Sequence, residues 1–407
     1  MVKPVGPICN LDCTYCFYLE KEKLFGKTES FRMSNDVLEK YIQDYLASQH
    51  TPSVQFAWQG GEPTLLGVDY FRKVIELQKK HGVGRNITNT IQTNGTLLDD
   101  EWGAFLAENN FLVGISIDGP EELHDAYRVD KRQRPTFERV MRGLDILKTH
   151  KVEFNTLTVV HRKNSEHPRK VYRFLKEIGS SFLQFIPLVE RTPDAAAKRW
   201  RLDLAAPPEI DGAPDILPVT SWSVSPVAYG DFLIGIFDDW VRQDVGKVFV
   251  QMFDVALGNW MGMGSELCFF AEKCGSAVAL EHNGDLYSCD HYVYPKYKLG
   301  NLNERSLGDM VNSPQQIRFG SDKYDRLPTY CLECPVRFAC NGECPKHRFI
   351  QTPNGEPGLN YLCAGYKKFF THIDPYMRAM RDLLLQKRPP SEIMARIRAD
   401  KDSKAAG

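Results

Sequence analysis

The residues of this chain best suited to chemistry are its cysteines. Cys9, Cys13 and Cys16 stand at a C-x3-C-x2-C spacing within CNLDCTYCFY, and no other cysteine follows until Cys268. The remaining eight of the eleven fall between Cys268 and Cys363. An odd number of thiols, clustered in this way and without an export signal, reads as metal or iron–sulfur ligation rather than a disulfide framework. A structural zinc site is closed by a fourth ligand, usually from a second close pair. Here neither Cys nor His follows the first triplet until His50. Three thiolates alone suit an iron–sulfur cube with one iron left open to a small ligand. Zinc stays open as an alternative for CLEC at 331–334, which resembles half a zinc knuckle.

Positioning such ligands takes a scaffold, and the sequence indicates one. From the first cysteines to about residue 190, short β-rich runs alternate with amphipathic helical ones. Strands are expected at 53–58, 86–92, 111–117, 152–160 and 182–189. The helices between them carry apolar residues at three- and four-residue spacing, the first opening on an N-cap at Ser34. Strand–helix alternation predicts a parallel sheet, and a short strand before Cys9 would make six β/α units. QGGEP (59–63), QTNG (92–95) and SIDGP (116–120) each follow a strand. Glycines and polar groups thus collect at strand C-termini, where barrel enzymes build their sites. Residues 190–225 are rich in Pro, Ala and Asp and form an irregular insertion, either disordered or folded over the barrel mouth. A helical linker (226–265) opens with Ser225 as N-cap and Pro226 at the first helical position. The cysteine-rich region follows at 266–375, then a charged helix or tail at 376–407.

Composition narrows the partners. The net charge is −1 and charged residues make up 25% of 407, so no basic field invites nucleic acid or an anionic membrane. No apolar run reaches the ~18 residues of a membrane span. MVKPVGPICN lacks the apolar core of a signal peptide. A cytoplasmic protein is expected.

The triplet has an aromatic before its last cysteine and is joined by GGEP after the next strand. In both respects it resembles the radical S-adenosylmethionine (SAM) superfamily. The resemblance implies an α/β fold, a partial (β/α)6 TIM-like barrel, in which Cys9, Cys13 and Cys16 hold a [4Fe–4S] cube whose open iron binds SAM. It implies that Gly60, Gly61 and Glu62 meet the SAM amino group and that Tyr15 lies by the adenine. Ser116 would stand near the carboxylate or ribose, and Arg128 near the carboxylate. From Cys274 onward the order C-x9-G-x4-C … C-x2-C-x5-C-x3-C … C is similar to the C-terminal SPASM domain of peptide-modifying members. By that likeness Cys268, Cys274, Cys289 and Cys344 hold a first auxiliary cluster, and Cys331, Cys334, Cys340 and Cys363 a second. The implied cofactors are three [4Fe–4S] clusters and SAM.

CNLDCTYCFY, FAWQGGEPTL, IQTNGTL, FLVGISIDGP and DLYSCDHYV resemble one group within the superfamily, the anaerobic sulfatase-maturating enzymes. These convert a Cys or Ser of a sulfatase to Cα-formylglycine. The resemblance implies that a 5′-deoxyadenosyl radical takes a Cβ hydrogen. Asp290, directly after Cys289, accepts the side-chain proton, and the first auxiliary cluster takes the electron. Tyr18 would hydrogen-bond near the target peptide and Gln59 would face it. The implied partners are an unfolded or nascent sulfatase polypeptide and a reduced flavodoxin- or ferredoxin-type donor. Two alternatives stand beside this reading. One is another SPASM enzyme, forming thioether or C–C crosslinks on a peptide. The other is a non-catalytic iron–sulfur electron carrier, for which GGEP and an open iron would have no use.

Overall fold

A computed structural model describes residues 1–26, 30–208, 218–265, 267–275 and 277–405. Six parallel strands form the body of one sheet. They are β1 (Val2–Lys3), β2 (Ser53–Trp58), β3 (Asn86–Thr93), β4 (Phe111–Ser116), β5 (Phe154–Val160) and β6 (Phe182–Pro187), paired in that order. Five match the β-rich runs to within two residues at either end. The sixth, β1, is only two residues long and joins β2 through Val2↔Trp58. Helices α1 (Asn35–Ser48), α2 (Val68–His81), α3 (Asp100–Glu108), α4 (Phe137–Thr149) and α5 (Pro168–Glu177) alternate with these strands. Their starts follow local capping chemistry: Ser34 Oγ accepts from the Val37 amide at 3.3 Å, and Asp99 from Trp102 at 2.9 Å. Their apolar stripes meet the sheet, as where Tyr41 of α1 packs edge-on against Phe56 and Trp58 of β2.

The barrel is not closed on itself. Past β6 the sheet gains a short parallel β7 (Phe249–Val250). Past β1 it gains β8 (Ala279–Glu281), in register Val2↔Leu280, and then antiparallel β9 (Asp285–Tyr287) and β10 (Lys298–Asn301). Ten strands therefore run without a break from the barrel into the cysteine-rich region. β1 is the seam.

Within the irregular stretch, the described part from 190 to 208 is folded. Glu20 accepts from the amides of Asp203 (2.6 Å) and Leu204 (3.3 Å), and Lys23 reaches Asp203 at 2.8 Å. Positions 209–217 lie outside the described residues. Helix α6 (Pro226–Gln243) begins with Ser225 capping the Ala228 amide, and is followed by α7 (Gln251–Trp260) and α8 (Pro314–Asp325). The long helix α9 (Cys363–Leu385) crosses α6 at Gly230 and Gly365. A Cβ on Gly365 would stand 2.0 Å from the Pro226 carbonyl oxygen, so the two backbones touch. The last stretch, expected as a charged helix or tail, is helical as α10 (Ile393–Ala405). Ile393 is buried and Ile397 packs on the core, because Pro389 and Pro390 turn the chain back. Among the described residues no helix is long and apolar enough to cross a membrane.

Candidate active site

At the C-terminal ends of β1 to β6 lies a cavity of about 390 Å³. Its lining carries Cys9, Cys13 and Cys16 from the barrel and Cys268, Cys274, Cys289 and Cys344 from the cysteine-rich region. Gly60, Gly61, Glu62, Ser116, Arg128 and Tyr15 also line it, as do Tyr18, Gln59 and Asp290. The other four cysteines, Cys331, Cys334, Cys340 and Cys363, surround a separate void of about 20 Å³. All eleven thiols are free of disulfides. Among the described residues no three His, Cys, Asp or Glu side chains converge on the position of a single metal ion. The thiols stand around voids instead, as the ligands of a polynuclear cluster do.

Local chemistry explains the shape of the first cysteine loop. Gly61 lies directly on the backbone that leads into it: a Cβ there would stand 1.9 Å from the Ile8 oxygen. The amides of Gly61 and Glu62 donate to the carbonyls of Gly6 (2.7 Å) and Ile8 (2.8 Å), so GGEP serves as a template for the loop. From the next strand, Asn94 donates to Asn10 Oδ1 at 2.9 Å and approaches the Cys9 sulfur at 3.7 Å.

Glu62 is 1% exposed. Its Oε1 accepts from the Thr64 amide (3.1 Å), the Thr64 hydroxyl (2.6 Å) and the Thr93 hydroxyl (2.7 Å), while Oε2 accepts only from the Asn94 amide (2.7 Å). Burial raises its pKa, and these donors pull it partly back. No cation of the chain is among these partners, which suits a carboxylate whose counter-ion is a ligand ammonium. Arg128 differs. Its Nε and Nη2 donate to the two oxygens of Asp118, at 2.9 and 3.2 Å, so its charge is already matched. Asp118 also accepts from the Tyr15 hydroxyl (2.5 Å) and the Val159 amide (2.9 Å), fixing the tyrosine ring beside the cavity. Ser116 Oγ accepts from Gln92 at 3.1 Å.

Across the cavity the chain adds a group with no counterpart in its motifs. Lys3, on the seam strand, forms an ion pair with Asp290 at 2.5 Å and holds its Nζ 3.5 Å from the Tyr18 ring centroid. Burial would raise the Asp290 carboxyl, but Lys3 and His291 outweigh it and hold the group below the ordinary carboxylate range. The Tyr18 hydroxyl is engaged by the buried Glu281 of β8. Tyr18 therefore lines the cavity with its ring while its hydroxyl is tied to the scaffold.

The donor set fits iron–sulfur ligation. Burial pushes the thiols of Cys13 and Cys289 up to about 12 and that of Cys363 to about 11. Side chains this desolvated become thiolates only beside positive charge, which iron provides.

Reasoning from motifs reaches every cysteine, GGEP and Asp290, and the cavity linings gather them. It misses the partners. Gln92 and Asn94 lie within QTNG, and Asp118 within SIDGP, so the rule of polar residues after strands pointed at the segments without assigning roles. Nothing in VKP marks Lys3, whose partner is brought to it by the β1–β8 pairing.

Residues 4–175 match the radical SAM superfamily, and residues 268–335 match an iron–sulfur cluster-binding domain, SPASM. A serine-type anaerobic sulfatase-maturating enzyme of Bacteroides thetaiotaomicron is 50% identical over 97% of this chain and 94% of its own. The chain belongs to the anaerobic sulfatase-maturating enzymes. A cysteine-type member of that family from Clostridium perfringens is 33% identical over 92% of this chain and 96% of its own. The solved structure "Native anSMEcpe with bound AdoMet" superposes with a TM-score of 0.80 at 33% identity, covering 94% of this chain and 98% of that one. The maturase is accordingly a radical SAM enzyme with a SPASM domain, a class that works with iron–sulfur clusters and SAM.

Proposed function

We propose that this maturase oxidises an active-site serine or cysteine of a sulfatase polypeptide to Cα-formylglycine. The observation that carries the reading is the shared cavity, whose lining holds a three-thiol group, a four-thiol group and Asp290 together. The more similar of the two relatives above is serine-type, so a seryl side chain is the first substrate to test.

When bound, SAM on a cube held by Cys9, Cys13 and Cys16 supplies a carbon radical, and closed cubes held by the two four-cysteine sets supply one-electron sinks. The remaining work belongs to the chain. Glu62 offers Oε2 to the SAM ammonium. Ser116 and the uncommitted Nη1 edge of Arg128 receive its carboxylate, and Tyr15, fixed by Asp118, supports the adenine. Tyr18 and Gln59 flank the target side chain, the former through its ring. A seryl substrate loses one hydrogen as an atom, one as a proton and one electron, and is then the aldehyde. A cysteinyl substrate loses the same and leaves a thioaldehyde, which water hydrolyses to the aldehyde with release of hydrogen sulfide. Asp290 accepts the proton at its carboxylate, which Lys3 keeps ionised and aimed. Walls around the reacting carbon aim the radical at the target and keep other hydrogen donors out of its reach. A flavodoxin- or ferredoxin-type protein is the proposed source of the reducing electron.

Anaerobic turnover with SAM and paired Ser- and Cys-containing sulfatase peptides, read by mass spectrometry, tests this. An aldehyde on the target residue with one 5′-deoxyadenosine per product is expected. A crosslinked peptide in its place would move the chain to the other class of SPASM peptide modifiers.

A further inference from the structure

Helix α8 carries no cysteine, yet one face of it touches the loops of three. Gln316 donates to the carbonyls of Gly275 (3.2 Å) and Ser288 (3.3 Å), the chain neighbours of Cys274 and Cys289. The Gly320 carbonyl accepts from the Cys274 amide at 3.1 Å, and a Cβ on Gly320 would stand 2.4 Å from the Cys274 oxygen. Lys323 donates its ammonium to the carbonyls of Cys268 (2.6 Å), Phe269 (3.0 Å) and Ala271. Positions 316, 320 and 323 share one helical face. The fourth cysteine, Cys344, is tied in by Arg348, which donates to the Lys323 carbonyl at 2.5 Å. It also donates to those of Gly342 (2.9 Å), Asn341 (3.0 Å) and Glu343 (3.0 Å). These are the three residues between Cys340 and Cys344, and all three adopt positive φ (46°, 69° and 51°).

Lys323 is 0% and Arg348 7% exposed. Among the described residues neither has a carboxylate partner. The nearby anions are matched elsewhere, Asp290 by Lys3 and Glu343 by His347 (2.9 Å) and Asn360 (2.6 Å). Two uncompensated buried cations thus stand where the two auxiliary thiol groups approach each other. Burying a charge against carbonyls alone is costly, and an anionic guest would offset that cost.

We propose that Lys323 and Arg348 are positioning residues that also set the charge at the auxiliary site, so that a cube held by Cys268, Cys274, Cys289 and Cys344 takes up an electron more readily. This rests on the iron–sulfur reading above. The oxidation removes one hydrogen atom and one proton from the substrate and leaves one electron to be accepted. An added electron makes a four-thiolate cube more negative, and a fixed cation in a low dielectric favours that reduced form over the oxidised one.

The test needs neither peptide nor turnover. Reconstituted wild type, Lys323→Arg, Lys323→Met and Arg348→Gln are compared for iron per chain and for the auxiliary midpoint potential, by spectroscopically monitored redox titration. The expected result is a wild-type potential in Lys323→Arg and a lower one in the neutral variants at full iron content. A neutral variant with full iron and an unchanged potential would overturn the proposal. Loss of auxiliary iron from both neutral variants would also overturn it, by reducing the two cations to scaffolding. If the wild type itself held no auxiliary iron, the iron–sulfur reading would be what fails.

Discussion

At the scale of single residues, the division of labour around Asp290 has measurable consequences. Asp290→Asn keeps the shape of the site but removes the acceptor. SAM should still be cleaved reductively, while formylglycine falls by about 100-fold or more, the usual worth of a positioned base. Equal product yield, measured per 5′-deoxyadenosine formed, would remove Asp290 from the mechanism. Lys3→Met should uncouple the two products in the same sense, although Lys3 lies at the far end of the sequence, because the 2.5 Å ion pair keeps the carboxylate charged. Leaving that half-buried carboxylate unmatched should also lower stability, by about 1–3 kcal/mol, visible in a denaturant titration. These residues differ in how legible they are. The thiolates are recognised by type and spacing, since few other side chains do that chemistry, whereas the carboxylate after Cys289 is legible only through the family resemblance. The value of Lys3 or Lys323 lies wholly in what the fold brings near, and a lone lysine carries no local signature of that.

Among elements, the strands and helices of the barrel were legible because their apolar periods follow from packing on one face, and caps such as Ser34 mark where they start. β1 was legible only as a requirement for a sixth unit, since two residues cannot show a period. The hairpin of β8 and β9 is local, with Asn283 and Gly284 in its turn, but its attachment to β1 could not be read, because that pairing joins distant segments. The template role of GGEP is also an element-level property, and it gives a sharp expectation. In Gly61→Ala the new Cβ meets the Ile8 backbone, which cannot yield without moving the cysteine loop. Such overpacking costs about 1–3 kcal/mol. With three cubes per chain, as proposed above, the variant should lose about a third of its iron, that of the first site, and with it SAM binding. Undiminished iron and SAM affinity would show that the loop tolerates displacement.

For the molecule as a whole, acid sensitivity should originate in the barrel. His124 and His161 are buried and neutral: desolvation, with Arg128 close by, lowers them from 6.5 to about 3 and about 4. The unfolded chain therefore binds more protons than the folded one once the pH drops below 6.5. Stability is complete above that value and is lost as the pH falls toward 4. Each histidine should remove about 2 kcal/mol between pH 7 and pH 5. Unfolding midpoints across that range should flatten when both are replaced by Gln; an unchanged slope would assign the loss to other groups. The unbroken ten-strand sheet also has a consequence for how the protein is made. Strand β1 leaves the ribosome well before β8, and its partner at Leu280 must be synthesised before the seam can close. Until then β1 is paired on its β2 side alone, and the loop bearing Cys9, Cys13 and Cys16 lies at the edge of the sheet, open to whatever delivers its metal. Ribosome-stalled chains ending before and after residue 280 should therefore differ in how readily protease cuts near Lys3.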